Sequence, residues 1–175
     1  MTKNEIEKKL EKYEEQGFDE DQMREIRMGL ENGVNVTKYT DPKFDWSKMG
    51  QIRLGLEKGL DLDKYVDPKF NWQQIDEICI GLEKGLDVSK YADSKFDYYQ
   101  MTQIRYGLEK GLDVDKYAKF EFNALQMQEI RLGLEANIDV SVYANPNCDS
   151  SKMWLIRENL EEEKAAEKKE PEMEI

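Results

Sequence analysis

A chain of 175 residues with 38 acidic against 26 basic side chains carries a formal charge of −12, and it has no histidine. An acid surplus of this size argues against direct nucleic-acid binding and for a partner protein with a basic or nucleic-acid-binding surface. No run reaches the roughly 18 apolar residues of a membrane span, and the first residues lack the apolar centre of a secretory signal, so a cytoplasmic protein with no membrane partner is expected.

Thr2 and Glu5 form a capping box, and Ile6, Leu10 and Tyr13 put one apolar stripe on an otherwise Lys/Glu helix. Residues 1–17 are therefore expected to be an N-terminal capping helix. From Phe18 a 26-residue unit runs six times. Phe18, Phe44, Phe70, Phe96 and Phe122 open five copies and Cys148 the sixth, with Ile and Leu following eight and twelve residues later, as in Ile52/Leu56. A fixed period of this length is the mark of stacked repeats.

Within each unit an acceptor follows the opening residue: Asp19, Asp45, Asn71, Asp97, Asn123 and Asp149. Each predicts a helix start, and Gln22, Gln74, Gln100 and Gln126 complete capping boxes where Lys48 and Lys152 do not. The helix stops at Gly33, Gly59, Gly85 and Gly111, with Asn137 in the fifth copy, because the chain must enter the left-handed region there. A short helical turn such as 61–65 follows, and Asp67-Pro68 extends the chain into the next Phe. Tyr39, Tyr65, Tyr91, Tyr117 and Tyr143 recur on the short element and are expected to pack between units with their hydroxyls at the surface.

A second glycine recurs inside the helix (Gly29, Gly55, Gly81, Gly107, Gly133) and costs roughly 1 kcal/mol against alanine, so close approach of a neighbouring helix is expected. The sixth copy lacks the Gly stop, and residues 161–175 predict a polar helix fraying towards Pro171 into an acidic tail. The expected fold is all-α: a monomeric, elongated α-solenoid of six 26-residue repeats over 18–160, each a long helix, a short helix and a turn, between capping helices.

Catalytic signals are missing from this pattern. With no histidine and two cysteines, Cys79 and Cys148, at non-equivalent repeat positions, neither a zinc site nor a disulfide framework is expected. Asp61-Leu-Asp63 and Asp113-Val-Asp115 begin like a calcium loop, but Tyr65 and Tyr117 replace the third oxygen ligand, and helix capping accounts for these aspartates. A non-enzymatic protein without metal or cofactor is the expectation.

Two ladders remain. Arg27, Arg53, Arg105, Arg131 and Arg157 each have a Glu four residues on and read as i,i+4 pairs on a solvated face, interrupted by Cys79. Met28, Leu54, Ile80, Tyr106 and Leu132 lie opposite the core face and either pack under the short helices or line an exposed groove. Trp46, Trp72 and Tyr98 fall between the two faces. With Asp45, Asp97, Arg53 and Arg105 they have the makings of a protein-binding hot spot, and a core role for the tryptophans is the competing reading.

The unit Gln-Ile-Arg-Leu-Gly-Leu-Glu-Lys-Gly-Leu-Asp-Leu-Asp-Lys-Tyr-Val-Asp-Pro-Lys-Phe (51–70) resembles short helical-repeat tracts in bacterial mobile-element and phage-associated proteins, including large proteins of conjugative elements. The resemblance covers the repeats and brings no catalytic residues with it. It implies an accessory protein of mobile DNA. Joined to the acidity, it points to an interaction protein, most sharply an antagonist of a nucleic-acid-binding defence protein of the anti-CRISPR or anti-restriction kind. The alternative is a scaffold or assembly module of a conjugative or phage machine.

Overall fold

The computed structural model describes residues 1–167, which contain helices and turns and no strand. The long helices are α1 (Lys3–Glu14), α2 (Glu20–Glu31), α3 (Trp46–Glu57), α4 (Trp72–Glu83), α5 (Tyr98–Glu109), α6 (Ala124–Glu135) and α7 (Ser150–Glu167). The fold is all-α. Among the described residues no helix is long and apolar enough to cross a membrane. Residues 1–85 form one compact unit, and a second begins at Leu86.

In the first unit α1 packs on α2, α2 on α3 and α3 on α4; in the second α5 packs on α6 and α6 on α7. The Thr2/Glu5 capping box is present, and Ile6 and Leu10 are buried, so α1 closes α2 with the stripe that the sequence predicts. Each opening Phe is buried, and Met49, Ile75, Met101 and Met127, five residues on, are buried too. That is the spacing of a hydrophobic staple.

The capping glutamines do more than close their own helices. In the first copy Gln22 Oε1 accepts from the Asp19 N–H at 2.8 Å, while its Nε2 donates to the carbonyl of Phe44, which opens the next copy, at 2.7 Å. Gln100 and Gln126 reach Phe122 and Cys148 in the same way. A lysine has no acceptor and cannot close the box. Lys48 instead lies 4.1 Å from the Phe44 ring centre and donates to the Asp67 carbonyl.

The long helices stop where the chain turns left-handed, at φ 77° for Gly59 and 56° for Asn137. Single 3₁₀ turns follow at Val36–Lys38, Val88–Lys90, Val114–Lys116 and Val140–Val142. The second copy keeps the Tyr65 N–H to Leu62 carbonyl bond at 2.8 Å but forms a plain turn.

The recurrent tyrosines depart from expectation. Tyr39, Tyr117 and Tyr143 are buried to their tips, and each hydroxyl donates at 3.1 Å to a carbonyl of its own copy's long helix: Glu25, Gln103 and Glu129. These acceptors lie one turn before Gly29, Gly107 and Gly133. A Cβ on any of these glycines would stand 1.9 Å from the hydroxyl. At these three positions the glycine is thus required by the tyrosine of the short helix; at Gly55 a Cβ would stand 2.9 Å from Cys79 Sγ of α4, the approach of a neighbouring helix that was expected. Burial also holds all three hydroxyls well above the usual tyrosine pKa.

Having no Gly stop, α7 runs on to Glu167, and Lys164 Nζ donates to the carbonyl of Ala136, the cap of α6, at 3.0 Å. The expected fraying towards Pro171 and the tail lie outside the described residues.

Candidate protein-binding surface

Beyond Arg27, whose side chain is 43 % exposed, the arginine ladder is not solvated. Arg53, Arg105 and Arg157 are 5 to 7 % exposed, although the i,i+4 bonds to Glu57, Glu109 and Glu161 are present. The partners that explain burial come from the preceding long helix: Arg53 Nε donates to Glu25 Oε2 at 2.9 Å, and Arg157 Nε to Glu129 Oε2 at 2.8 Å. Arg131 Nε donates to Gln103 Oε1 at 3.0 Å. Burial alone would loosen the Arg157 proton, but hydrogen bonds to Glu129 and Glu161 outweigh it and hold the guanidinium above its ordinary pKa. Arg27 pairs with Glu7 on α1 at 2.6 Å.

Arg27, Arg53, Arg131 and Arg157 therefore tie helix to helix, and the burial of Arg53 and Arg105 corrects the reading of them as exposed contact residues. Every buried side-chain nitrogen or oxygen among the described residues has a partner.

Cys79 breaks the ladder. Its Sγ lies 2.9 Å from where a Cβ on Gly55 would stand, beside Leu62, where a tyrosine hydroxyl lies at Gly29, Gly107 and Gly133. Burial pushes the Cys79 thiol up to about 12, with Asp76 and Glu83 adding to the shift. Gln51 holds the place of Gln103 and Cys79 the place of Arg131, and the Gln51 side chain makes no hydrogen bond among the described residues.

The tryptophans are on the surface, which rules out the core reading: Trp46 is 47 % exposed and Trp72 40 %. Leu54 and Tyr106 are exposed and Met28, Ile80 and Leu132 half-buried, so at Leu54 and Tyr106 the ladder lies open at the surface. In the first unit Trp46, Leu54 and Trp72 wall a shallow groove of about 290 Å³ floored by Gly50 and Gln51. Glu25 and Arg53 border it, and the missing side chain at Gly50 leaves room for the Glu25 carboxylate, 3.1 Å from where a Cβ would be. A larger depression between α1 and residues 33–37 lacks paired aromatic walls.

The second unit exposes Tyr99, Tyr106, Leu125 and Trp154. Tyr106 has two guanidinium carbons near its ring centre, Arg105 at 4.5 Å and Arg131 at 5.6 Å. Tyr98 is half-buried, its ring centre 3.9 Å from that of Tyr99. Asp45 and Asp97 are helix caps, bonded to the N–H groups of Lys48 and Gln100 at 2.8 Å.

Gly50, Gln51, Glu25 and Tyr99 were not singled out by sequence. The available signal was the offset of 28 residues, one period plus two, that pairs Glu25 with Arg53 and Glu129 with Arg157. Among the described residues no group of three or more metal-ligating side chains is assembled. No known protein family matches the chain, and no curated protein or solved structure does either.

Proposed function

We propose that the chain is a six-repeat α-solenoid that acts without catalysis, by binding a partner protein through the exposed aromatic faces of its long helices. The carrying observation is the contrast between a fully satisfied interior and large aromatic side chains left at the surface: Trp46 and Trp72 in the first unit, Tyr99, Tyr106 and Trp154 in the second. Exposed aromatic groups beside charged ones are what protein interfaces use as anchors. The sequence period passes through Gly85 without interruption, as six copies of one repeat require.

The charge of −12 favours a basic partner. With the resemblance to mobile-element repeats, the sharpest form of this reading is an antagonist of a nucleic-acid-binding defence protein, of the anti-CRISPR or anti-restriction kind. Affinity capture from the native host, followed by direct binding of the purified partner, tests it. The expected result is a basic partner whose affinity falls as salt rises, with no binding of free DNA or RNA. Tight binding of free nucleic acid would overturn it. Growth of the chain into larger assemblies with concentration, with capture only of conjugation or virion components, would replace it with the assembly module.

A further inference from the structure

Two departures from the repeat meet in the groove of the first unit. In the first copy the Arg24 guanidinium carbon lies 6.0 Å from the centre of the Trp46 ring. A residue on one long helix thereby reaches over the aromatic ring that starts the next. In the second copy Gly50 holds the place of Arg24 and Trp72 the place of Trp46, so the glycine leaves that approach to Trp72 open. The second departure is Cys79, which holds the place of Arg131, so Gln51, at the place of Gln103, lacks the arginine donor that Gln103 has. Gly50, Gln51 and Trp72 line the same groove.

Both missing groups are guanidiniums. We propose that the groove between Trp46 and Trp72 receives one arginine side chain of a basic partner protein, a proposal that rests on the protein-binding reading above. The guest stacks on Trp72 as Arg24 approaches Trp46, and it donates to Gln51 Oε1 as Arg131 donates to Gln103. Charge beside the groove suits it: Arg53 at the border is bonded to two carboxylates, Glu25 at the border and Glu57 beyond it, which leaves one negative charge in excess. Arginine is preferred over lysine because a planar fork can stack and donate at once, whereas an ammonium is a compact, strongly hydrated point charge.

The chain has three tryptophans, so three indole N–H resonances follow the binding. The full chain is titrated with nona-arginine amide and with nona-lysine amide at moderate salt. The Trp72 indole should shift saturably with the arginine peptide and Trp154 should not, and the lysine peptide should bind about fivefold more weakly. Gly50→Arg supplies the guanidinium in cis, and Trp72→Leu removes the stacking surface. Each should weaken the arginine peptide about tenfold. Should Gly50→Arg disturb Glu25 and fail to fold, Trp72→Leu at its exposed site decides.

Equal titration by the lysine peptide, equal shifts at Trp154, or wild-type binding by the folded variants would overturn the site. A captured partner that binds wild type and both variants alike would also overturn it, while leaving the protein-binding function standing. Peptide binding at Trp72 with no partner protein captured would do the reverse.

Discussion

The corners around Gly133 and Gly55 follow one template and end differently. At Gly133 the Tyr143 hydroxyl lies against the glycine and bonds the Glu129 carbonyl, while the Glu129 carboxylate receives buried Arg157 from α7. At Gly55 the open side is filled by Leu62 and Cys79, Tyr65 is half-buried, and the Gln51 amide has no donor. The first corner is satisfied from within. The second leaves hydrogen-bonding capacity and aromatic surface facing a groove, so the places where a repeat departs from its own pattern show where it can meet something else.

The two corners differ most in what surrounds their glycines. Gly133→Ala puts a Cβ 1.9 Å from the Tyr143 hydroxyl, which is held by packing and its own hydrogen bond. A loss of about 3 kcal/mol in urea denaturation is expected, from overpacking of a filled site. Gly55→Ala meets only the ends of Leu62 and Cys79, at 2.7 and 2.9 Å. Part of that strain is offset by the better helix propensity of alanine, so a loss of about 1 kcal/mol or less is expected. Equal losses would mean that the tyrosine is not what excludes a side chain.

Next come the acceptors. Glu129→Leu strips buried Arg157 of its interhelical carboxylate and should cost about 2 kcal/mol, since Arg157 keeps only the more exposed Glu158 and Glu161 of its own helix. Gln51→Leu removes a side chain with no hydrogen bond and should change stability by about 0.5 kcal/mol at most. A large loss from Gln51→Leu would show that the second corner has an internal partner after all.

The local signals were legible in the sequence: caps, capping boxes, staples, left-handed stops and the closing helix α1 all depend on residues within one copy. What was not legible depends on neighbours a full period away. Placing the arginines by i,i+4 spacing found Glu57 and Glu161 but not Glu25 or Glu129, because burial is decided by which helix packs alongside. The tryptophan column lay between the faces of the helical wheel, and only the packed neighbours show it to be outside. The glycine recurrence was legible, yet at Gly29, Gly107 and Gly133 its cause was a tyrosine hydroxyl folding back from the short helix.

The smallest effect expected concerns acid. Burial raises the Glu57 pKa, but bonds from Asn32 and Arg53 outweigh it and leave the carboxyl below its ordinary 4.5. A depressed folded value means that the stabilisation is present above the unfolded pKa and is lost as pH falls through the folded one. Glu57→Gln should therefore lower the urea midpoint at neutral pH and narrow its gap to wild type below about pH 4. A gap that widens in acid would reverse the assigned sign.

The measurement that tests the account most directly is Cys79→Arg, which restores the template at the one interrupted rung. Given its own arginine, Gln51 should gain a donor, and titration with nona-arginine amide should move the Trp72 indole with affinity reduced about tenfold, the fold remaining intact. A folded Cys79→Arg chain that binds the arginine peptide as wild type does would contradict the claim that the missing internal arginine creates the site.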